Sequence, residues 1–132
     1  MVHVLIADDH KAVRDNLRSV LNEQQPQWRI SEASDGQEAV DVFRNAAPDV
    51  AVLDIVMMPM GGVAAAYEMR RIDPKVKIIL ISGHYAPGDA SIIVRLLGAG
   101  AFVPKSDAVR QLVPAIQRIL SEEDSILETP II

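Results

Sequence analysis

No cysteine occurs among the 132 residues, so disulfide staples and thiolate metal ligands are both excluded, and the redox compartment is left open. No apolar run approaches the roughly 18 residues that a bilayer span needs. The amino terminus enters a strand-like run, Val2-His-Val-Leu-Ile-Ala7, with no basic segment ahead of it, so it does not read as a signal peptide. A basic excess is missing as well. The formal net charge is −5, which argues against this chain gripping nucleic acid unaided, because duplex binding relies on Lys and Arg at phosphates. A soluble cytoplasmic protein without membrane association is the expectation. What the chain does have is apolar residues, 49% of the total, which suits a filled interior and excludes a disordered chain. Its length fits one domain.

Four short apolar runs each end on a chemically distinct residue. Val2 to Ala7 ends in Asp8-Asp9, Val50 to Leu53 in Asp54, Ile78 to Ile81 in Ser82, and Ala101 to Pro104 in Lys105. Runs of this length with a β-branched bias read as strands buried on both faces. A fifth candidate strand covers Trp28 to Ala33, with Trp28 and Ile30 on one side. Helical spacing lies between them: His10 to Gln24, with Val13, Leu17, Val20 and Leu21 on one face; a helix after the turn Ser34-Asp35-Gly36, with Ala39, Val40 and Phe43 inward; Val63 to Ile72, stopped by Asp73-Pro74; Ala90 to Leu97, capped by Gly98; and Asp107 to Leu120. Pro114 sits inside the last pattern and should bend that helix or start it late. Five strands alternating with five helices predict an α/β fold, a doubly wound parallel sheet with helices on both faces. Right-handed crossovers favour the flavodoxin-like order 2-1-3-4-5.

In that order the tips of the strands share one edge of the sheet, the edge at which open α/β sheets bind ligands. Two unit charges about 4 Å apart repel by about 4 kcal/mol at an effective dielectric near 20. Asp8, Asp9 and Asp54 clustered there would therefore hold a proton or bind a divalent cation. An all-oxygen, shallow, partly hydrated site suits Mg²⁺, with remaining ligands from a phosphate. A phosphoryl group could then bridge the metal and Lys105 while the Ser82 hydroxyl donates to another oxygen. Asp54, central among them, becomes the candidate nucleophile for an aspartyl phosphate.

Taken singly, each residue has an ordinary reading. Asp9 could be only a helix cap, Asp54 a turn residue, Lys105 a surface lysine and Ser82 a turn hydroxyl. Their joint placement at strand ends favours the chemical reading. His10 could be a ligand or simply a first-turn helix residue, since carboxylates already satisfy a hard metal. Met57, Met58 and Met60 could form a partner surface or pack onto the domain. His84 is given no role.

The pieces Val-Leu-Ile-Ala-Asp-Asp-His10, Glu32-Ala-Ser-Asp-Gly36, Pro48-Asp-Val-Ala-Val-Leu-Asp54, Ile79-Leu-Ile-Ser-Gly83 and Gly98-Ala-Gly-Ala-Phe-Val-Pro-Lys-Ser106 resemble the receiver domain of two-component response regulators. The resemblance is to the NarL/FixJ branch, whose receivers precede a LuxR-type helix-turn-helix. It runs from about Val2 to Leu120 and implies a CheY-like fold and a phosphorylation switch rather than a turnover enzyme, with at most slow self-catalysed dephosphorylation. By position it implies that Asp54 is the phosphoacceptor, that Asp8 and Asp9 hold Mg²⁺ with Asp54 and the Val56 backbone carbonyl, and that Lys105 and Ser82 contact the phosphoryl group. Phe102 falls at the switch aromatic of the family, although a plain core ring is the other reading. Gly83 beside Ser82 leaves room for the phosphoryl group.

The implied partners are a sensor histidine kinase, a second copy on phosphorylation, and DNA only through a C-terminal domain that the chain lacks. Residues 1–121 would be the receiver and residues 122–132 a linker stub. Four departures stand out: Met58 replaces the usual proline, with Pro59 one place later; the Ser82–Lys105 segment is a residue longer; Ser106 replaces the proline after the lysine; and Pro114 lies in the last helix. Three rivals remain. A phosphohydrolase of related topology would carry a second Asp where Val56 stands, and a flavodoxin-like cofactor module would want a Gly- or Ser/Thr-rich loop where Asp8-Asp9-His10 stands. The third is a receiver-like module that dimerises without phosphorylation.

Overall fold

The computed structural model describes residues 1–83, 92, 94, 95 and 97–122. Five strands form one parallel sheet: β1 (His3–Ala7), β2 (Arg29–Ala33), β3 (Val50–Asp54), β4 (Ile78–Ser82) and β5 (Ala101–Pro104). Their order is β2-β1-β3-β4-β5, as expected. Every residue of β1, β3 and β4 is buried, which is why these three read in the sequence as unbroken apolar runs rather than alternating ones. The edge strand β2 is mostly half-exposed and begins one residue later than expected, at Arg29; Trp28 just before it is buried.

The helices are α1 (Lys11–Gln24), α2 (Gly36–Ala46), α3 (Gly62–Ile72) and α4 (Ala108–Ser121), the last preceded by a 3₁₀ turn at Lys105–Asp107. Five helices were expected. Residues 92, 94, 95 and 97 are helical, while the rest of the segment Ala90 to Leu97, the loop around His84 and the tail beyond residue 122 lie outside the described residues. The expected cap at Gly98 is there. It has φ +64, and Gly98 N–H and Ala99 N–H donate to the carbonyls of Arg95 and Val94, closing a Schellman motif. From α3, Arg70 donates to the carbonyls of Leu97, Gly98 and Pro74 at 2.8, 2.8 and 3.1 Å.

The period of two along each strand sorts the core into two layers. Val4, Ile6, Val50, Val52, Ile79 and Ile81 face Leu17 and Leu21 of α1 and Leu112, Ile116 and Ile119 of α4. Leu5, Ala7, Leu53, Ile78 and Leu80 face Ala39, Val40 and Phe43 of α2 and Ala65, Ala66 and Met69 of α3. Pro114 does not delay the start of the last helix, which begins at Ala108. α4 runs through it unbroken, with the ring on the exposed face, where the lost N–H bond is its main cost. Among the three methionines, Met57 is buried in the core, Met60 packs against it, and Met58 is exposed.

Candidate functional site

Parallel pairing sets the heights of the strand tips. Ala7 is level with Leu53, and Asp54 is level with Ile81. Asp8 therefore emerges beside Asp54, one step past the end of the β1 pairing. The same alternation that sends Val4, Ile6, Val50 and Val52 into the α1/α4 layer sends Asp8 and Asp54 toward that side at the sheet edge. Ser82 pairs with Pro104, so Lys105 follows one step beyond it, at the level of Gly83.

These heights bring an ammonium between two carboxylates. Lys105 Nζ lies 2.7 Å from Asp8 Oδ2 and donates to Asp54 Oδ2 at 3.0 Å. Both aspartates are almost completely buried, whereas the lysine side chain keeps one fifth of its surface exposed. The other oxygen of Asp54, Oδ1, accepts from the Val56 backbone N–H at 3.3 Å. Burial pushes the Asp54 carboxyl above its ordinary value; the Lys105 hydrogen bond opposes this, and the charge of Asp8 adds to the rise. For Lys105 burial works downward, yet the hydrogen bonds and charges of Asp8 and Asp54 win and hold the ammonium above its usual range. The lysine is thus a standing counter-charge for the two buried acids.

Asp9 sits beside this trio and is partly exposed. Asp8 Oδ2 and Asp9 Oδ1 are buried oxygens without a well-aligned hydrogen bond among the described residues, although each has a cationic or imidazole group close by. Such oxygens, at the rim of an all-oxygen acidic corner, fit a hard divalent cation that would complete their coordination. Val56, whose N–H meets Asp54, is exposed.

Ser82 is buried at the end of β4. Beside it, among the described residues, a Cβ added to Gly83 would come within 4 Å of Lys105 Cδ alone, at 3.8 Å. Phe102 is half-buried. It packs with Val94 and Leu97 against the α2/α3 layer and helps to wall a groove of about 330 Å³ between β5 and α4, beside Arg110, Gln111, Pro114 and Arg118. The loop after Asp54 contains a cis Met58-Pro59 bond. Gly62 closes that loop against the site strand: a Cβ there would lie 2.2 Å from the Asp54 carbonyl oxygen, so only glycine admits this approach of α3 to β3.

One site feature was not raised by the sequence. Arg14 of α1 donates to the Asp8 carbonyl at 2.8 Å and to Glu32 Oε1 at 3.1 Å, while Arg18 donates to Glu32 Oε2 at 2.6 Å. The Arg18 hydrogen bond is the main reason the Glu32 carboxyl lies below its usual range. This network anchors the backbone of the acidic pair to α1 and β2. The available signal was the spacing Arg14–Arg18 on one helical face with an acid in the neighbouring strand. His10, for which the sequence left two readings, caps α1 and turns its ring back to the aspartates.

The chain matches the response regulator receiver domain family over residues 4–117. It is 33% identical over 121 residues to the response regulator UvrY of Escherichia coli (strain K12), an alignment that covers 92% of this chain and 55% of UvrY. Chemotaxis protein CheY of Thermotoga maritima is 32% identical, with 88% of this chain and 95% of that protein covered. A two-component response regulator of the LuxR family from Aurantimonas sp. SI85-9A1 superposes with a TM-score of 0.82 at 31% identity, over 92% of this chain and 86% of that one. The chain spans about half the length of UvrY and nearly all of CheY. Family match, sheet order and relatives agree: this chain belongs to the response regulator receiver domains, and its relatives support the NarL/FixJ, LuxR-type branch.

Proposed function

We propose that Asp54 is the phosphoacceptor and that a sensor histidine kinase supplies the phosphoryl group. An oxygen of the Asp54 carboxylate attacks the phosphorus of a kinase phosphohistidine. The P–N bond breaks, its electron pair stays on the imidazole nitrogen, and an acyl phosphate remains on Asp54; later attack by water returns the carboxylate and releases phosphate. Asp8, Asp9, Asp54 and the Val56 carbonyl would hold Mg²⁺, which neutralises charge on the phosphoryl oxygens. The observation that carries this reading is the placement of Lys105 Nζ, within 3.0 Å of both Asp54 and Asp8. An ammonium held there can transfer from the carboxylate to a phosphoryl oxygen without leaving the site.

The rest follows from that transfer. Ser82 would donate its hydroxyl to another phosphoryl oxygen, and Phe102 would move inward as β4 shifts, remodelling the β5–α4 groove. Phosphorylation can bias such a switch only through its differential contacts with the two arrangements. Coverage of about half of UvrY supports an output domain outside this chain. In this reading residues 1–121 are the receiver, residues 122–132 are a linker, and DNA is bound only by that separate domain, to control transcription. A homodimer forms on phosphorylation, and the protein works in the cytoplasm. No helix among the described residues is long and apolar enough to cross a membrane.

The test uses phosphoramidate, a small donor with the same P–N bond, with Mg²⁺ present and peptide mapping of the product. The phosphoryl group is expected on the peptide containing Asp54. Its appearance on another residue, or on wild type and Asp54→Ala alike, would overturn the reading.

A further inference from the structure

Arg70 takes no part in the chemistry above. It lies in the last turn of α3, at the opposite end of that helix from Gly62, the residue that meets the Asp54 carbonyl. Its guanidinium donates to three backbone carbonyls: Leu97 and Gly98 at 2.8 Å each, and Pro74 at 3.1 Å. The first two end the helical residues that precede β5, where carbonyls have no partner further along the helix. Gly98 holds φ +64, and a Cβ there would collide with the Arg70 guanidinium. On the far side of the same turn, a Cβ on Gly100 would overlap the Ile119 side chain of α4. Gly100 N–H then donates to the Ile78 carbonyl at 2.7 Å, at the entry to the β4–β5 pairing. Residues 97–100 therefore set where β5 begins, and β5 carries Phe102 and leads into Lys105. Val94, Leu97, Ala99 and Phe102 all pack, partly buried, against the α2/α3 layer.

We propose that Arg70 is a positioning residue for the switch: its fork to the Leu97 and Gly98 carbonyls holds the entry to β5 so that Phe102 stays half-buried, and opposes inward movement of the ring. The proposal rests on the reading that phosphorylation of Asp54 draws Phe102 inward, and it names what resists that movement. Phe102 cannot move in unless Val94 and Leu97, which pack on the same layer, make way, and the backbone of Leu97 is the part that Arg70 holds. Hydrogen bonds from a charged donor are the stronger kind, and a planar guanidinium fixes orientation as well as distance. A two-state element shifts when contacts made in only one of its arrangements are removed. Loss of the fork therefore raises the share of molecules with the ring inward, and phosphorylation, which selects that arrangement, becomes faster in proportion.

The rate at which phosphoramidate with Mg²⁺ labels Asp54 of the whole chain, followed by intact mass, tests this for wild type, Arg70→Met and Arg70→Lys. Arg70→Met is expected to label about five- to tenfold faster than wild type. Arg70→Lys keeps one charged donor for these carbonyls, so a gain of about twofold is expected; this milder variant carries the test if Arg70→Met fails to fold. The same Arg70→Met change made in a Phe102→Ala background should bring almost no gain, because the ring it releases is gone. Urea melts are expected to show a lower midpoint for Arg70→Met, since three bonds are lost. A merely structural role predicts that lower midpoint with labelling unchanged or slower, and either result would overturn the proposal. So would an equal gain in the Phe102→Ala background. Absence of label on Asp54 in wild type and variants alike would instead remove the phosphoacceptor reading, and this proposal with it.

Discussion

Removing the ammonium of Lys105 leaves two buried carboxylates facing each other without a counter-charge. Lys105→Met should therefore lower stability by about 3 kcal/mol at neutral pH without metal, measured by urea unfolding, and Mg²⁺ should restore much of that loss. Asp54→Asn should act the other way. The Asp54 carboxyl titrates above its ordinary 3.8 because burial disfavours its charge, so the folded state binds the proton more tightly than the unfolded state. Stability from this group is then greatest below 3.8 and falls as pH rises through the elevated folded value. Asp54→Asn should remove that decline and raise metal-free stability at pH 7 by on the order of 1 kcal/mol; a lower midpoint than wild type would contradict the assigned cause. At this scale the sequence was informative where a polar residue ended an apolar run: Asp8, Asp54, Ser82 and Lys105 all lie at strand tips. It was silent on which oxygen meets which nitrogen. The spacing of 51 residues between Asp54 and Lys105 carries no such information until strand register is known.

Element ends carry the next set of expectations. α2 finishes on Ala47 with φ +46, a left-handed conformation that costs a non-glycine residue about 1–2 kcal/mol. Ala47→Gly relieves that strain but adds freedom to the unfolded chain, so a net gain of about 0.5–1 kcal/mol is expected in thermal or urea melts; a loss would show that the Ala47 methyl packs usefully. Between α1 and β2, Glu32 accepts from both Arg14 and Arg18 and its carboxyl lies below the ordinary 4.5. The stability it adds is present above 4.5 and is lost as pH falls through the lower folded value. Glu32→Gln should cost about 1–2 kcal/mol at pH 7 and nothing below that window. Neither feature could be read from the sequence: a left-handed alanine has no residue signal, and a helix-to-strand ion network needs the fold first. Helix bounds fared better because Asp35, Asp73-Pro74 and Gly98 punctuate the chain locally. Pro114 did not delay the helix start, since an exposed face tolerates a lost backbone bond that a buried one would not.

Across the whole molecule, the parallel order β2-β1-β3-β4-β5 was legible because three fully buried strands and the helices between them leave few right-handed arrangements. That topology brings four distant sequence positions to one edge of the sheet, so metal binding there should report on the entire fold. A cation that binds only the folded state stabilises it by about 2.7 kcal/mol at a hundred times its dissociation constant. Mg²⁺ should raise the urea midpoint of wild type accordingly, and Asp9→Asn, half-exposed and outside the Lys105 pair, should lose most of that gain with little change in metal-free stability.

The account stands on the strand tips forming a phosphoryl-accepting pocket, and intact-mass measurement after incubation with acetyl phosphate tests that most directly. Wild type with Mg²⁺ should gain one phosphoryl group, and neither metal-free wild type nor Asp54→Ala should gain any. A labelled Asp54→Ala variant, or labelling that ignores the metal, would contradict it.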